Sequence, residues 1–110
     1  MDYLLQIFKA VANETRVKII ELLMDNEEHK IEEIAERIKI PFATCCRNLK
    51  ILERVYIVNS KRKGGYVFYS LNKPDTHIYN RRIFELINLR EKNIDKKRKN
   101  NNYDFAKKCK

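Results

Sequence analysis

The sequence predicts a mainly α fold with one small β-hairpin, in the order α-α-α-α-β-β-α. Three observations carry this. Apolar residues recur at helical spacing through the first half of the chain and again after residue 75. The period changes to two only at Tyr56-Ile57-Val58 and Tyr66-Val67-Phe68-Tyr69, both β-branched and aromatic. Two Gly and two Pro among 110 residues are too few for a turn-rich all-β chain.

Each element follows from local signals. Leu4, Ile7, Phe8 and Val11 mark a first amphipathic helix over residues 3–12. Asn13 is a good N-cap for a second helix over 14–25, marked by Val17, Ile20, Leu23 and Met24 and ended by Asp25-Asn26. Ile31, Ile34, Ala35 and Ile38 give a short third helix. Lys39-Ile40-Pro41 breaks it, because proline disfavours helix in the residue before it. A fourth helix over 42–54 turns Cys45, Leu49 and Leu52 inward. The two-period runs then form a hairpin around a basic tip, Lys61-Arg62-Lys63-Gly64-Gly65. Asn72-Lys73-Pro74-Asp75 is a turn, with Asp75 placed to cap a long last helix over 76–98 that uses Ile78, Ile83, Ile87 and Ile94. Residues 1–98 thus read as one domain, and the Lys/Asn-rich 99–110 as a basic, mobile tail.

The charge is unevenly placed. The chain has 24 Lys plus Arg against 15 Asp plus Glu, a net charge of +9. Residues 14–41 are net −3, residues 42–63 net +5 and residues 88–110 net +6. A local basic excess on a small domain points to a polyanion partner. The longest apolar runs are about four residues, which predicts no membrane span. An N-terminus without a signal-peptide apolar core predicts a cytoplasmic protein. Three cysteines, two adjacent, make no disulfide framework and fit a reducing compartment.

Two short helices separated by three residues and followed by a hairpin make a winged helix-turn-helix. Its second helix would enter the major groove of double-stranded DNA. The wheel turns Ala43, Cys46, Arg47 and Lys50 outward, flanked by Thr44 and Asn48. Arg47 can offer a bidentate fork to guanine, and Asn48 could pair with adenine if it turns toward the groove. Lys61, Arg62, Lys63 and Gly64 form the wing's DNA-binding set, with its bases on phosphates or in an adjacent minor groove and Arg62 central to the phosphate contacts. The first and last helices carry more apolar surface than one small core needs, which predicts a homodimer through them. Two-fold symmetry would set the two reading helices about 34–36 Å apart, one DNA turn. A polar residue at Ile87 is then expected to weaken the dimer.

Three segments resemble a known family. Lys9-Ala10-Val11-Ala12-Asn13-Glu14-Thr15-Arg16 resembles its N-terminal signature. Pro41-Phe42-Ala43-Thr44-Cys45-Cys46-Arg47-Asn48-Leu49-Lys50-Ile51-Leu52 resembles its recognition-helix segment, and Gly64-Gly65-Tyr66-Val67-Phe68-Tyr69-Ser70-Leu71 its wing return. The family is the ArsR (ArsR/SmtB) winged-helix repressors, and the resemblance runs from about Leu5 to Leu89. It implies a homodimeric repressor on an imperfect inverted repeat, with Phe42, Ala43, Cys46 and Arg47 facing the groove. Phe42 and Cys46 replace the polar residues more usual there.

The resemblance also implies where an effector would bind. The family's thiolate metal site falls on His29-Lys30-Ile31-Glu32-Glu33-Ile34-Ala35, which contains no Cys. Its second site type falls on Asp75, His77, Asn88 and Glu91. Asp75, His77 and Glu91 could hold zinc, but Asn88 is a poor ligand. Cys45 reads as a core residue. Cys46 is the candidate for a thiol switch, since modification on the outward face would disturb DNA contact. The effector stays open. No phosphate-cradling Gly loop and no Ser-His-Asp set argue for an enzyme. Two rivals remain at this level, a non-specific architectural DNA-binding protein and a winged-helix protein-interaction module.

Overall fold

The structure, a computed structural model, describes residues 2–91. The expected end of the last helix at residue 98, the tail at 99–110 and Cys109 lie outside the described residues.

Helix α1 spans Tyr3–Val11, capped by Asp2, whose carboxylate accepts from the Leu4 N–H at 2.7 Å. Helix α2 spans Glu14–Leu22, and the Asn13 side chain caps it by accepting from the Arg16 N–H at 3.0 Å. A 3₁₀ turn, Leu23–Asp25, then closes onto Asn26 in the left-handed region, so the predicted end is right and the last turn is tighter than an α-helix. Helix α3 spans Ile31–Ile38 and α4 spans Phe42–Arg54. Lys39 at φ 65° and Tyr56 at φ 62° end these two helices. In each case a following N–H reaches back: Ile40 to the Ala35 carbonyl at 3.0 Å, Ile57 to the Leu52 carbonyl at 3.1 Å.

The hairpin is β2, Val58–Lys63, against β3, Tyr66–Leu71. Tyr56 and Ile57 therefore precede the strand instead of opening it, because Tyr56 is occupied in closing α4. The basic residues Lys61, Arg62 and Lys63 belong to β2 itself. Lys63 pairs with Tyr66, leaving Gly64-Gly65 as a two-residue turn with φ 56° and 84°. Both central positions need positive φ, which fits the turn type that matches strand twist. The sequence reading missed a third strand, β1, His29–Lys30, which pairs His29 with Tyr69 and Lys30 with Phe68. The sheet order is β1-β3-β2.

Helix α5 spans Asn80–Glu91, four residues later than expected at its start. Asp75 is not its cap. Its carboxylate takes the Arg81 guanidinium at 2.5 Å. Asn80 is fully buried, and its Nδ2 donates to the Tyr56 carbonyl at 2.8 Å, which fixes the helix start. Ile78, expected on the apolar face, is 77% exposed.

The core joins α1 to α4, α5 and the sheet through Ile7, Ile19, Ile20, Leu23, Ile34, Leu49, Leu52 and Ile57. Ile83 and Ile87 of α5 are buried in it, so a polar residue at Ile87 disrupts the protomer before it reports on a dimer. Leu5, Phe8, Ile78, Leu86 and Leu89 stay exposed.

His29 fastens the start of the α3 segment. Its side chain is buried, with Nδ1 2.8 Å from Glu33 Oε2 and Nε2 2.7 Å from Asp25 Oδ2. Both partners are carboxylates, so the ring is suited to carrying both protons. Burial opposes the charge, but the hydrogen bonds and charges of Glu33 and Asp25 outweigh it and raise the His29 pKa. Asp25 and Glu33 are lowered. For Asp25, burial is outweighed by the Glu27 N–H and His29; for Glu33, the His29 hydrogen bond leads. The histidine contribution is therefore lost as pH rises through its raised pKa. The carboxylate contribution is lost as pH falls through theirs. Melting temperature should decline by a few degrees as the pH climbs from about 6 to 9, and His29→Gln should remove that alkaline limb. A variant that keeps the limb would place its origin elsewhere.

Candidate nucleic-acid interface

Helix α4 exposes one face and buries the other, as its period demands. Phe42, Ala43, Arg47 and Lys50 are exposed, and Thr44 and Cys46 are half-buried. Cys45 is fully buried, and burial pushes its thiol up to about 11, so it is an inert core residue. Asn48 departs from the expectation. It is 8% exposed, its Nδ2 donates to the Thr44 carbonyl at 2.9 Å, and its Oδ1 accepts from Arg16 Nη1 at 2.8 Å. With its amide so committed, it does not flank the outward face.

The wing is held to α4 by a carboxylate. Glu53 accepts from Ser60 Oγ at 2.8 Å and from Tyr69 OH at 2.9 Å. Burial, together with Glu53, pushes the Tyr69 hydroxyl up to about 12, so it stays a donor. A cleft of about 440 Å³ lies between helix and sheet, with Phe42, Cys46 and Lys50 on one side and Arg62 and Val67 on the other.

Strand alternation divides the wing's cations, which the sequence groups together, between two faces. Arg62 lies opposite Val67 on the cleft side. Lys61 and Lys63 lie on the other face, separated from β1 by β3. There both meet Glu28, Lys61 at 3.4 Å and Lys63 closer still. Lys30 sits 4.0 Å from the Tyr66 ring centroid, and Lys63 5.4 Å from that of Phe68. Arg47, Lys50 and Arg62 have no ion pair among the described residues. Gly64 is exposed at the tip, where its conformation rather than its contacts shapes the turn. The faces were derivable from a period of two; the Glu28 pairs needed β1.

Of the residues considered for zinc, Asp75 and His77 have other partners within the protomer. Asp75 is engaged by Arg81. The His77 ring packs against Tyr3, with centroids 3.9 Å apart, and stacks with Tyr56 at 5.7 Å. Its Nδ1 is buried without a hydrogen-bond partner among the described residues. Glu91 is the last described residue of α5. Among the described residues, no three His, Cys, Asp or Glu side chains converge as a metal site. None of the described helices is long and apolar enough to cross a membrane.

Comparison with known proteins bears on the whole arrangement. Residues 13–60, which run from the α2 cap into β2, match the family described as bacterial regulatory protein, arsR family. The transcriptional repressor SdpR of Bacillus subtilis is 35% identical over 66 residues, 60% of this chain and 72% of that protein. The transcriptional activator HlyU of Vibrio cholerae is 32% identical over 69 residues, 63% of this chain and 63% of that protein. Among solved structures, the homodimeric winged helix-turn-helix DNA-binding domain Mb0332 from Mycobacterium bovis superposes with a TM-score of 0.70. It is 27% identical and covers 84% of this chain and 81% of that chain. SdpR and HlyU are transcriptional regulators. With its helix-turn-helix, its wing and these relatives, the chain belongs to the ArsR family of winged helix-turn-helix DNA-binding transcriptional regulators.

Proposed function

We propose that this regulator is a homodimeric repressor that reads an inverted-repeat operator with α4 and holds the flanking phosphates with its wing. One observation carries the reading. Among the described residues, Arg47, Lys50 and Arg62 stand without ion pairs on α4 and on the wing face turned toward it. Cations left unneutralised across a helix and a wing suit a polyanion that spans both. Phe42, Ala43, Thr44 and Cys46 supply the small and apolar surface beside them, and Arg47 supplies the base-reading fork. Asn48 is withdrawn from the reading set. Exposed Leu5 and Phe8 on α1, with Leu86 and Leu89 on α5, support a dimer through the first and last helices. Occupancy of the promoter suffices for repression, and SdpR, a repressor, is among the relatives. HlyU, an activator, is the observation that favours a second reading, activation from the same DNA-binding surface.

The deciding experiment is a titration of upstream DNA against a scrambled duplex of equal length at physiological salt. Specific sites win by about 10³-fold or more. Equal binding would favour the architectural reading instead. Run across salt concentrations, the same assay tests the wing. Alanine at Lys61, Arg62 and Lys63 together should weaken binding to every duplex and flatten the salt slope. Arg62→Ala alone should lower the magnitude of the slope by about 0.9, the share of one phosphate contact, since Glu28 already competes for the two lysines. An unaltered slope would remove the wing from the contact surface.

A further inference from the structure

Helix α1 is fastened to the reading helix at two separated points. At its N-terminal end, the Tyr3 hydroxyl donates to the Val55 carbonyl at 2.8 Å, just past the end of α4. At its C-terminal end, Arg16 bridges the two helices from the first turn of α2. Its Nε donates to the Ala10 carbonyl and its Nη2 to the Lys9 carbonyl at 3.4 Å, while Nη1 donates to Asn48 Oδ1 at 2.8 Å. The carbonyls at a helix C-terminus lack intrahelical donors and carry partial negative charge, so a guanidinium suits them. Asn48 is locked in turn by its bond to Thr44, which aims its oxygen at Arg16. Between the two fastenings the helices do not close. A groove of about 250 Å³ remains, lined by Gln6, Lys9, Ala10, Ile51, Arg54 and others. Polar attachments at either end therefore add to the core packing of Ile7 and Ala10 in setting the angle between α1 and α4. One attachment would leave a pivot; two define a direction.

We propose that Arg16 and Asn48 form a positioning joint that carries the placement of α1, and hence of the dimer face, to the reading helix. This rests on the dimeric, sequence-specific reading above. Arg16 and Asn48 touch no base in this scheme. Their effect is to hold the two heads at the separation an inverted repeat requires.

The test compares the wild-type chain, Arg16→Lys, Asn48→Ala and the double variant on the upstream and scrambled duplexes. Salt slope, sedimentation and melting temperature are measured alongside. Lysine keeps the charge but cannot span three acceptors with a planar fork. Each single variant should lose about tenfold in preference for the upstream duplex, and the double variant should lose no more than the worse single. Affinity for the scrambled duplex, its salt slope and the dimer mass should not move. A merely structural role would lower melting temperature without lowering preference. A phosphate contact by Arg16 would weaken both duplexes together and flatten the slope. Either result overturns the joint, as do losses that add in the double variant. Should the Arg16 or Asn48 variants fail to fold, Tyr3→Phe removes only the hydroxyl at the other fastening. A severalfold loss of preference supports the two-point attachment, and unchanged preference refutes it. A wild-type chain that does not separate the duplexes overturns the sequence-specific reading and this inference with it. Clear separation by the wild type, with variants that match it, overturns the joint alone.

Discussion

Replacing Leu86 and Leu89 by aspartate is expected to leave a folded monomer with greatly weakened operator binding. The two side chains are 60% and 47% exposed in the protomer, so the change costs its fold little. In a dimer through α1 and α5 they would be covered, and burying each leucine is worth about 1.5–3 kcal/mol. Two-fold symmetry counts that loss twice, and four carboxylates would then face one another across the interface. Linking two half-site contacts raises affinity by about 10²–10⁴ over either alone, so the operator preference should fall by a comparable factor. Sedimentation and the upstream-duplex titration together check this. A dimer of wild-type strength would move the interface off these helices. Ile87 is unsuited to the purpose, because it faces the protomer's own core.

Arg47→Ala is the second large effect. Arg47 is exposed in the second turn of α4 and free of ion pairs among the described residues, with no internal role to lose. A bidentate contact to guanine contributes about 1–3 kcal/mol of discrimination. That corresponds to roughly 5–150-fold in affinity for the preferred duplex. The loss should be confined to one base step in each half-site. Competition by duplexes altered one position at a time would locate that step. If every duplex weakens equally, Arg47 lies on phosphate and base reading belongs to other residues of α4.

Much of the helical half was legible because its signals are local. Asn13 announces α2, Pro41 separates α3 from α4, and the core positions of α4 repeat at helical spacing. The reading went wrong where distant groups decide. Tyr56 has strand propensity, yet closing α4 puts it in the left-handed region. β1 is two residues long, too short for a period, and exists because β3 offers it an edge. Asn48 sits between the buried and exposed faces of α4, and Arg16, 32 positions earlier, settles its direction. The start of α5 depends on Asn80 reaching the Tyr56 carbonyl from 24 positions away. Of the candidate interface, the cations were legible from composition and period. Their division into paired and unpaired sets was not, because Glu28 reaches the wing through the tertiary fold.

Among the described residues, the order β1-β3-β2 leaves the outer edge of β2 without a neighbour in the sheet. An open edge is a template on which another copy can add a strand. Here its outer half reads Lys61-Arg62-Lys63, so two copies approaching edge to edge bring like charges together. The same three side chains that the proposed reading sets on DNA would thus guard the chain against self-templating while no polyanion is bound. Neutralising them to weaken DNA binding would also remove that guard, and selection on colloidal behaviour alone would favour a basic wing.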